Sequence, residues 1–281
     1  MRDPYSPSPS VVVGVDGSRS AIQAAMWAVD EAIDRDVPLQ LLYAIESVSN
    51  DPDDKATEAA SAENAVQEVL ARVESTGKPV KLEADIVHRY PVTALVEASR
   101  SAALLCVGSA GFVHATQGRL GSTAAAVAAS AHCPMAIVPA TAGLKRHDAG
   151  LILAVVDGSP ADNTVLEHSV AEARLRAAPV RVFRMPHAAA VPGRSRDGVQ
   201  LEHRFTHWRR NLPDLDIQLV PEHDGLLNYL EHLQRAATPV QLVVVDPLRP
   251  GPLDVLLAPS GRAALDAAGC TVMVCDRKWW L

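Results

Sequence analysis

The sequence predicts two tandem α/β domains, each a parallel sheet flanked by helices. Three observations predict this. Short apolar runs alternate with longer amphipathic stretches along the chain. The segment VVGVDGS at Val12–Ser18 returns as LAVVDGS at Leu153–Ser159. The 281 residues amount to about twice a typical domain of roughly 100–150 residues.

In the first half, Ser10–Val15, Leu39–Ala44, Val80–Val87, Ala103–Gly108 and Met135–Val138 read as strands. Most are continuously apolar or β-branched, the pattern of strands covered on both faces. Val80–Val87 alternates instead, as an edge strand does. Between them, Ala21–Arg35, Ala56–Glu74, Val92–Ser101 and Ser122–Ala131 read as helices. Ser18 or Ser20 can cap the first helix. Pro38 stands just past its end, and Pro91 opens the third, both at positions proline tolerates. Parallel strands joined by helices require right-handed crossovers, and such sheets bind ligands beyond the carboxyl ends of their strands.

The repeat sets the domain organisation. Asp16 maps onto Asp157, and the same offset carries Glu31-Ala32 onto Glu172-Ala173, Arg35 onto Arg176 and Pro38 onto Pro179. One register over that span marks a duplication. Further on the offset shrinks, but the order of elements holds. The expected domains are residues 1–145 and 146–281, joined near Thr141–Asp148. The first nine residues, with Pro4, Pro7 and Pro9, read as a loose leader.

Composition narrows the function classes. Apolar residues make up 48% and charged ones 21%, an ordinary soluble balance, and no apolar run approaches the roughly 20 residues that span a bilayer. No basic segment leads into an apolar one at the N-terminus, so a cytoplasmic protein is expected. The net charge of −7 argues against non-specific binding to nucleic acid or anionic membrane. Arg204, Arg209 and Arg210 cluster, and read as a solvated helix face. Cys106, Cys133, Cys270 and Cys275 form no C-x-x-C pair and read as buried, inert thiols. His203 and His207 lie four apart without an acidic partner, so no metal site is expected.

The segment Gly108–Thr123, GSAGFVHATQGRLGST, carries the chemistry. It leaves a strand and enters a helix. Gly108, Gly111 and Gly121 let backbone approach a ligand where a Cβ would clash. Ser122 and Thr123 add hydroxyls beside the free N–H groups of a helix start, which attract an anion. His114 and Arg119 could add charge. The alternative is that a strand-to-helix loop needs its glycines only to fold. Asp16, ending the first strand, can accept hydrogen bonds from a ribose or a base, or can cap the following helix. No P-loop, dinucleotide fingerprint, nucleophile elbow or metal-binding helix is present.

The pairing of VVVGVDGS with the Gly108, Gly111, Gly121-Ser122 spacing resembles the universal stress protein family, of the ATP-binding type. The duplicated, alanine-rich form looks like its actinobacterial, particularly mycobacterial, members. The resemblance implies an adenine nucleotide α-hydrolase-like fold, an open α/β/α domain with five parallel strands in order 3-2-1-4-5. It implies ATP as cofactor, with magnesium as an optional counter-ion. It places the base against Gly14, Val15, Asp16 and Ala44, and the ribose and phosphates along Val107, Gly108, Gly111, Gly121, Ser122 and Thr123. It also implies pairing through the last strands, so Met135–Val138 and Thr271–Cys275 could pair within the chain, with a homodimer on top. Tyr90 stands where the family has glycine before Pro91, and could crowd the base.

The second half departs further. Asp246 replaces Gly108, three prolines follow at 247, 250 and 252, and Ala258-Pro259 replaces Gly121-Ser122. A carboxylate would repel phosphate, and prolines remove donors. The second domain is expected to bind no ATP. The function expected is a regulatory, ATP-binding stress-response protein, not an enzyme beyond trace hydrolysis or self-phosphorylation. The alternatives are an adenylating or ATP-cleaving enzyme, for which the S-G-G-x-D-S signature is missing, and a scaffold with a vestigial or cAMP-preferring site.

Overall fold

The computed structural model describes residues 9–46, 51–111, 120–142, 150–157, 161–185, 210, 212–221, 223–247 and 251–275. The chain divides into two compact units, Met1–Lys145 and Arg146–Cys275. Much of the leader and of the join lies outside the described residues, as do His114, Arg119, His203, Arg204, His207 and Arg209.

In the first unit, β1 (Val11–Val15) leads through Ser18 into α1 (Arg19–Asp34). The Ser18 Oγ accepts the Ala21 N–H at 3.1 Å and supplies the N-cap. Ala21, Ala24, Ala25, Ala28 and Ala32 are buried at helical spacing, so α1 lays a narrow alanine stripe on β1, β4 and β5. Small side chains let the helix approach the sheet closely. The helix stops at Arg35, and Asp36 turns into the left-handed region at φ 52° before Pro38.

Next come β2 (Leu39–Ile45), α2 (Pro52–Glu74), β3 (Leu82–His88), α3 (Pro91–Ala98), β4 (Leu104–Gly108), α4 (Ser122–Ser130) and β5 (Met135–Val138). The strands are parallel in the order β3-β2-β1-β4-β5. The inner strands β1 and β4 are almost wholly buried, whereas β3 pairs only with β2 and exposes most of its residues. The alternation read in Val80–Val87 therefore belongs to an edge strand, beginning two residues later than the pattern suggested.

The second unit repeats the plan. β6 (Leu151–Val156), α5 (Asp162–Arg176), β7 (Val180–Arg184), β8 (Ile217–Leu219), α6 (Leu226–Arg235), β9 (Val240–Val245), α7 (Pro252–Leu257), α8 (Pro259–Ala268) and β10 (Thr271–Val274) follow in turn. Its strands are parallel in the order β8-β7-β6-β9-β10, the same 3-2-1-4-5 arrangement. The duplicated Glu–Arg pairs are structural. Glu31 is fully buried and pairs with Arg35; Glu172 is equally enclosed and pairs with Arg176 at 3.1 Å. All four cysteines are buried thiols. Burial pushes the Cys270 thiol up to about 12, despite a nearby Arg262 that acts the other way. Such a thiol is inert at neutral pH.

Candidate functional site

The parallel strands of the first unit end on one edge of its sheet, and a cavity of about 460 Å³ opens there. Gly14, Val15 and Asp16 line it from β1, and Ala44 from β2. Val107 and Gly108 reach it from β4, Gly111 from the loop beyond, and Gly121, Ser122 and Thr123 from the start of α4. The residues to which the resemblance assigns base, ribose and phosphates thus meet in one place, whereas His114 and Arg119 lie outside the described residues. Sequence reasoning missed Leu42 and Tyr43 of β2, Ser18 and Ala21 of α1, Pro91 and Leu95 of α3, and Ala110 and Ala124. For β2 the signal was there: parallel register sets Gly14 beside Leu42 and Val15 beside Tyr43, so whatever touches the end of β1 also meets those residues.

The α4 end of the cavity is built of backbone donors. Gly121 is the N-cap and no side chain caps the helix. The first return bond runs from the Ala125 N–H to the Gly121 carbonyl at 3.0 Å. The N–H groups of Ser122, Thr123 and Ala124 precede it, and all three residues line the cavity. With the positive end of the helix dipole behind them, they form an anion-attracting cradle. The Gly121 N–H donates to the Ser109 carbonyl at 2.9 Å, and the Ser109 N–H to Val138 at 2.8 Å, so the stem of the intervening loop is tied to β5.

The glycines do different jobs. A Cβ on Gly108 would lie 2.3 Å from the Ser20 Oγ and 2.7 Å from the Ala21 nitrogen. Gly108 is therefore required by the first turn of α1, and the expectation that it makes room for a ligand is corrected to that extent. Ser20 grips the same loop: its hydroxyl donates to the Ala110 carbonyl. A Cβ on Gly111 would stand 3.2 Å from the Asp16 Oδ2. One on Gly121 would make only ordinary contacts, the nearest 3.5 Å away at the Gly111 nitrogen, so a small side chain fits there without displacing backbone.

Asp16 is not the helix cap that its position allowed; Ser18 is. The Asp16 Oδ1 accepts the Ser18 N–H at 2.9 Å and braces the turn, in which Gly17 takes φ 78°. Its Oδ2 faces the loop at Gly111. Tyr43 has its phenol held above the ordinary range near 10, first by burial and then by the charges of Asp16 and Glu58. Tyr90 does not crowd the cavity: it is 64% exposed and absent from the lining, while Pro91 and Leu95 form that wall.

The corresponding region of the second unit is built otherwise. Ala258 is at once the C-cap of α7 and the N-cap of α8, and Pro259 occupies the first turn of α8 without an N–H to offer. A Cβ on Gly261 would lie 2.2 Å from the Val255 carbonyl oxygen, so α7 sits directly against the start of α8. The Asp157 N–H donates to the Asp162 Oδ1 at 3.1 Å. Pro160, Leu248, Arg249 and Pro250 lie outside the described residues. Among the described residues there is no metal-holding cluster and no helix long and apolar enough to cross a membrane.

A doubly wound parallel sheet with an uncapped, glycine-flanked helix start at its carboxyl edge defines an open α/β protein of the kind whose ligand sites lie beyond the strand ends. A model of the universal stress protein family matches residues 9–139, which lie in the first unit. Two Mycobacterium tuberculosis proteins resemble all or most of the chain. Universal stress protein Rv2028c is 42% identical over 290 residues, covering 99% of this chain and 100% of that protein. Universal stress protein Rv3134c is 39% identical over 254 residues, covering 88% and 91%. The chain belongs to the universal stress protein family. A crystal structure of a universal stress protein from Archaeoglobus fulgidus shares the fold at 16% identity, with a TM-score of 0.69 over 95% of this chain and 98% of that one.

Proposed function

We propose that the first unit is an ATP-binding regulatory module, read out through assembly or partners, and that the second unit holds no ATP. The observation that carries this reading is the set of three uncapped N–H groups at α4 facing a cavity of about 460 Å³, a volume suited to a nucleotide. Gly121, Ser122 and Thr123 would hold phosphate, Asp16 the ribose, and the Gly14–Leu42–Ala44 wall the base. Among the described residues the cavity lining supplies no Lys, Arg or His, so there the phosphate would meet backbone dipoles. Asp16 is the sole carboxylate in that lining among the described residues, and its Oδ1 is already engaged by Ser18. That arrangement favours holding a nucleotide over cleaving it.

Calorimetric titration with ATP tests the reading. One nucleotide per chain is expected, with binding abolished by Gly121→Val, whose branched side chain would crowd the cavity that Gly121 lines. Two nucleotides per chain would remove the claim about the second unit. Unchanged affinity in Gly121→Val would remove the claim about the loop. Turnover of ATP well above trace levels would favour an enzyme instead.

A further inference from the structure

The outer edge of the first unit's sheet is open. Among the described residues β3 pairs with β2 alone, and most of its seven residues are exposed. The edge strand at the same place in the second unit, β8, has three residues. Proteins commonly blunt an edge by shortening it or by placing proline in it, and β3 shows neither device. The backbone tells which of its groups are free. The Lys81 carbonyl accepts the Leu39 N–H at 2.8 Å, and the Arg89 N–H donates to the Ile45 carbonyl at 3.0 Å. Odd-numbered residues therefore turn their backbone groups to β2, while Leu82, Ala84, Ile86 and His88 turn theirs outward.

The side chains of this edge are complementary to themselves. Three large apolar side chains are exposed among the described residues, Ile33, Ile86 and Tyr90, and two of them belong to this edge. Antiparallel pairing of β3 with its own copy must oppose outward-turned residues, which leaves few two-fold registers. Centring on Ala84 sets Glu83 against Asp85, and centring on Asp85 sets that carboxylate against itself, so both oppose like charges. Centring on Val87 runs Leu82 and Glu83 onto Val92 and Pro91, which already belong to α3. Centring on Ile86 sets Glu83 against Arg89 of the second copy, twice by symmetry, and Ile86 against Ile86, with Leu82 against Tyr90. Glu83 meanwhile pairs with Lys81 at 2.6 Å and Arg89 with Glu97, exposed pairs whose loss costs little.

We propose that β3 is the docking edge for a second copy of this chain, joined antiparallel about a two-fold axis at Ile86. The occupant is a copy because one register satisfies open backbone, charge and apolar side chains together. Such an interface closes at two chains, since each copy uses the same edge. It lies on the opposite side of the sheet from the last strand, to which the family resemblance points.

Sedimentation velocity of the full chain over a range of concentrations provides the first test. A dimer is expected, and Ile86→Lys, which opposes two ammonium groups at the centre, should leave only monomer. Glu83→Arg should weaken dimerisation about 10-fold, the size of two cross-strand charge pairs, and Glu83→Arg with Arg89→Glu should restore it. Cross-linking reads the register. Ile86 would face its own copy at a Cα separation of about 5.5 Å, within disulfide reach, whereas Ala84 would stand four residues from its copy, roughly 13 Å away. Oxidised Ile86→Cys should therefore run as a covalent dimer and Ala84→Cys as a monomer, the native thiols being buried. Both positions are exposed, and circular dichroism checks that each variant folds. A monomeric wild type would leave the edge to a strand of another protein and overturns the proposal. So does a dimer that persists in Ile86→Lys, which is then held elsewhere, and so does equal cross-linking of the two cysteine variants.

Discussion

Gly108 and Gly121 look alike in the motif, yet the structure gives them opposite roles. Gly108 is pressed against the first turn of α1, with Ser20 and Ala21 inside the radius of any Cβ. A Cβ on Gly121 would make only ordinary contacts, at 3.5 Å or more. Gly108→Ala is accordingly expected to destabilise the chain by about 1–3 kcal/mol, the range for overpacking. Gly121→Ala should cost at most about 1 kcal/mol, the effect of alanine at an N-cap. Urea unfolding of the two variants checks the contrast, and equal losses would contradict it. Tyr43 makes a second prediction at this scale. Its folded-state pKa lies above the unfolded value near 10, because burial and two carboxylates disfavour the phenolate. Its contribution to stability is thus fully present below pH 10 and is lost as pH rises through the folded pKa, since the unfolded chain ionises first. Absorbance titration of the phenols should show a late component that moves earlier in Asp16→Asn. A spectrum in which every tyrosine titrates near 10 would contradict the placement.

At the scale of elements, the site depends on two helix starts handled in different ways. α1 is capped: Ser18 accepts the Ala21 N–H, and Asp16 accepts the Ser18 N–H. α4 has no side-chain cap, and Ser122, Thr123 and Ala124 of its first turn line the cavity. Ser18→Ala is expected to cost about 1 kcal/mol, the usual effect of losing a serine cap. The midpoint of urea unfolding should shift while its slope stays constant. The helices and strands were legible in the sequence because each run was long enough to show its period. Val11–Val15 and Leu104–Gly108 are continuously apolar, being covered on both faces. The α1 stripe of buried alanines follows the helical repeat. Less legible were the lining contributions of Leu42, Tyr43, Pro91 and Leu95. They reach the cavity only because β2 lies beside β1 in register and α3 packs against Gly14, where a Cβ would come within 3.1 Å of Leu95. Nothing local to those residues announces it.

For the whole molecule, duplication supplied two sheets of the same order but not two equivalent sites. The first unit opens α4 to a cavity, whereas in the second α7 runs straight into α8 through Ala258 and proline takes the first turn. ATP should therefore stabilise one unit and leave the other to unfold as before. At a concentration about 100-fold above the dissociation constant, the bound unit gains about 2.7 kcal/mol. Scanning calorimetry should show ATP raising one component of the transition, and Gly121→Val should cancel the rise. Equal displacement of all components would mean that the units unfold together.

The sequence by itself determined the duplication, the alternation of strand and helix, and the gathering of Gly108, Gly111, Gly121, Ser122 and Thr123 between a strand and a helix. Those features are periodic or contiguous, so local physical chemistry expresses them. Tertiary structure alone decided that Asp16 braces a turn while Ser18 caps, that Tyr90 faces outward while Tyr43 faces the cavity, and that Gly108 serves α1. Each of these depends on distances between segments far apart in the chain. Strand order and close packing set those distances, and no single stretch of sequence encodes them.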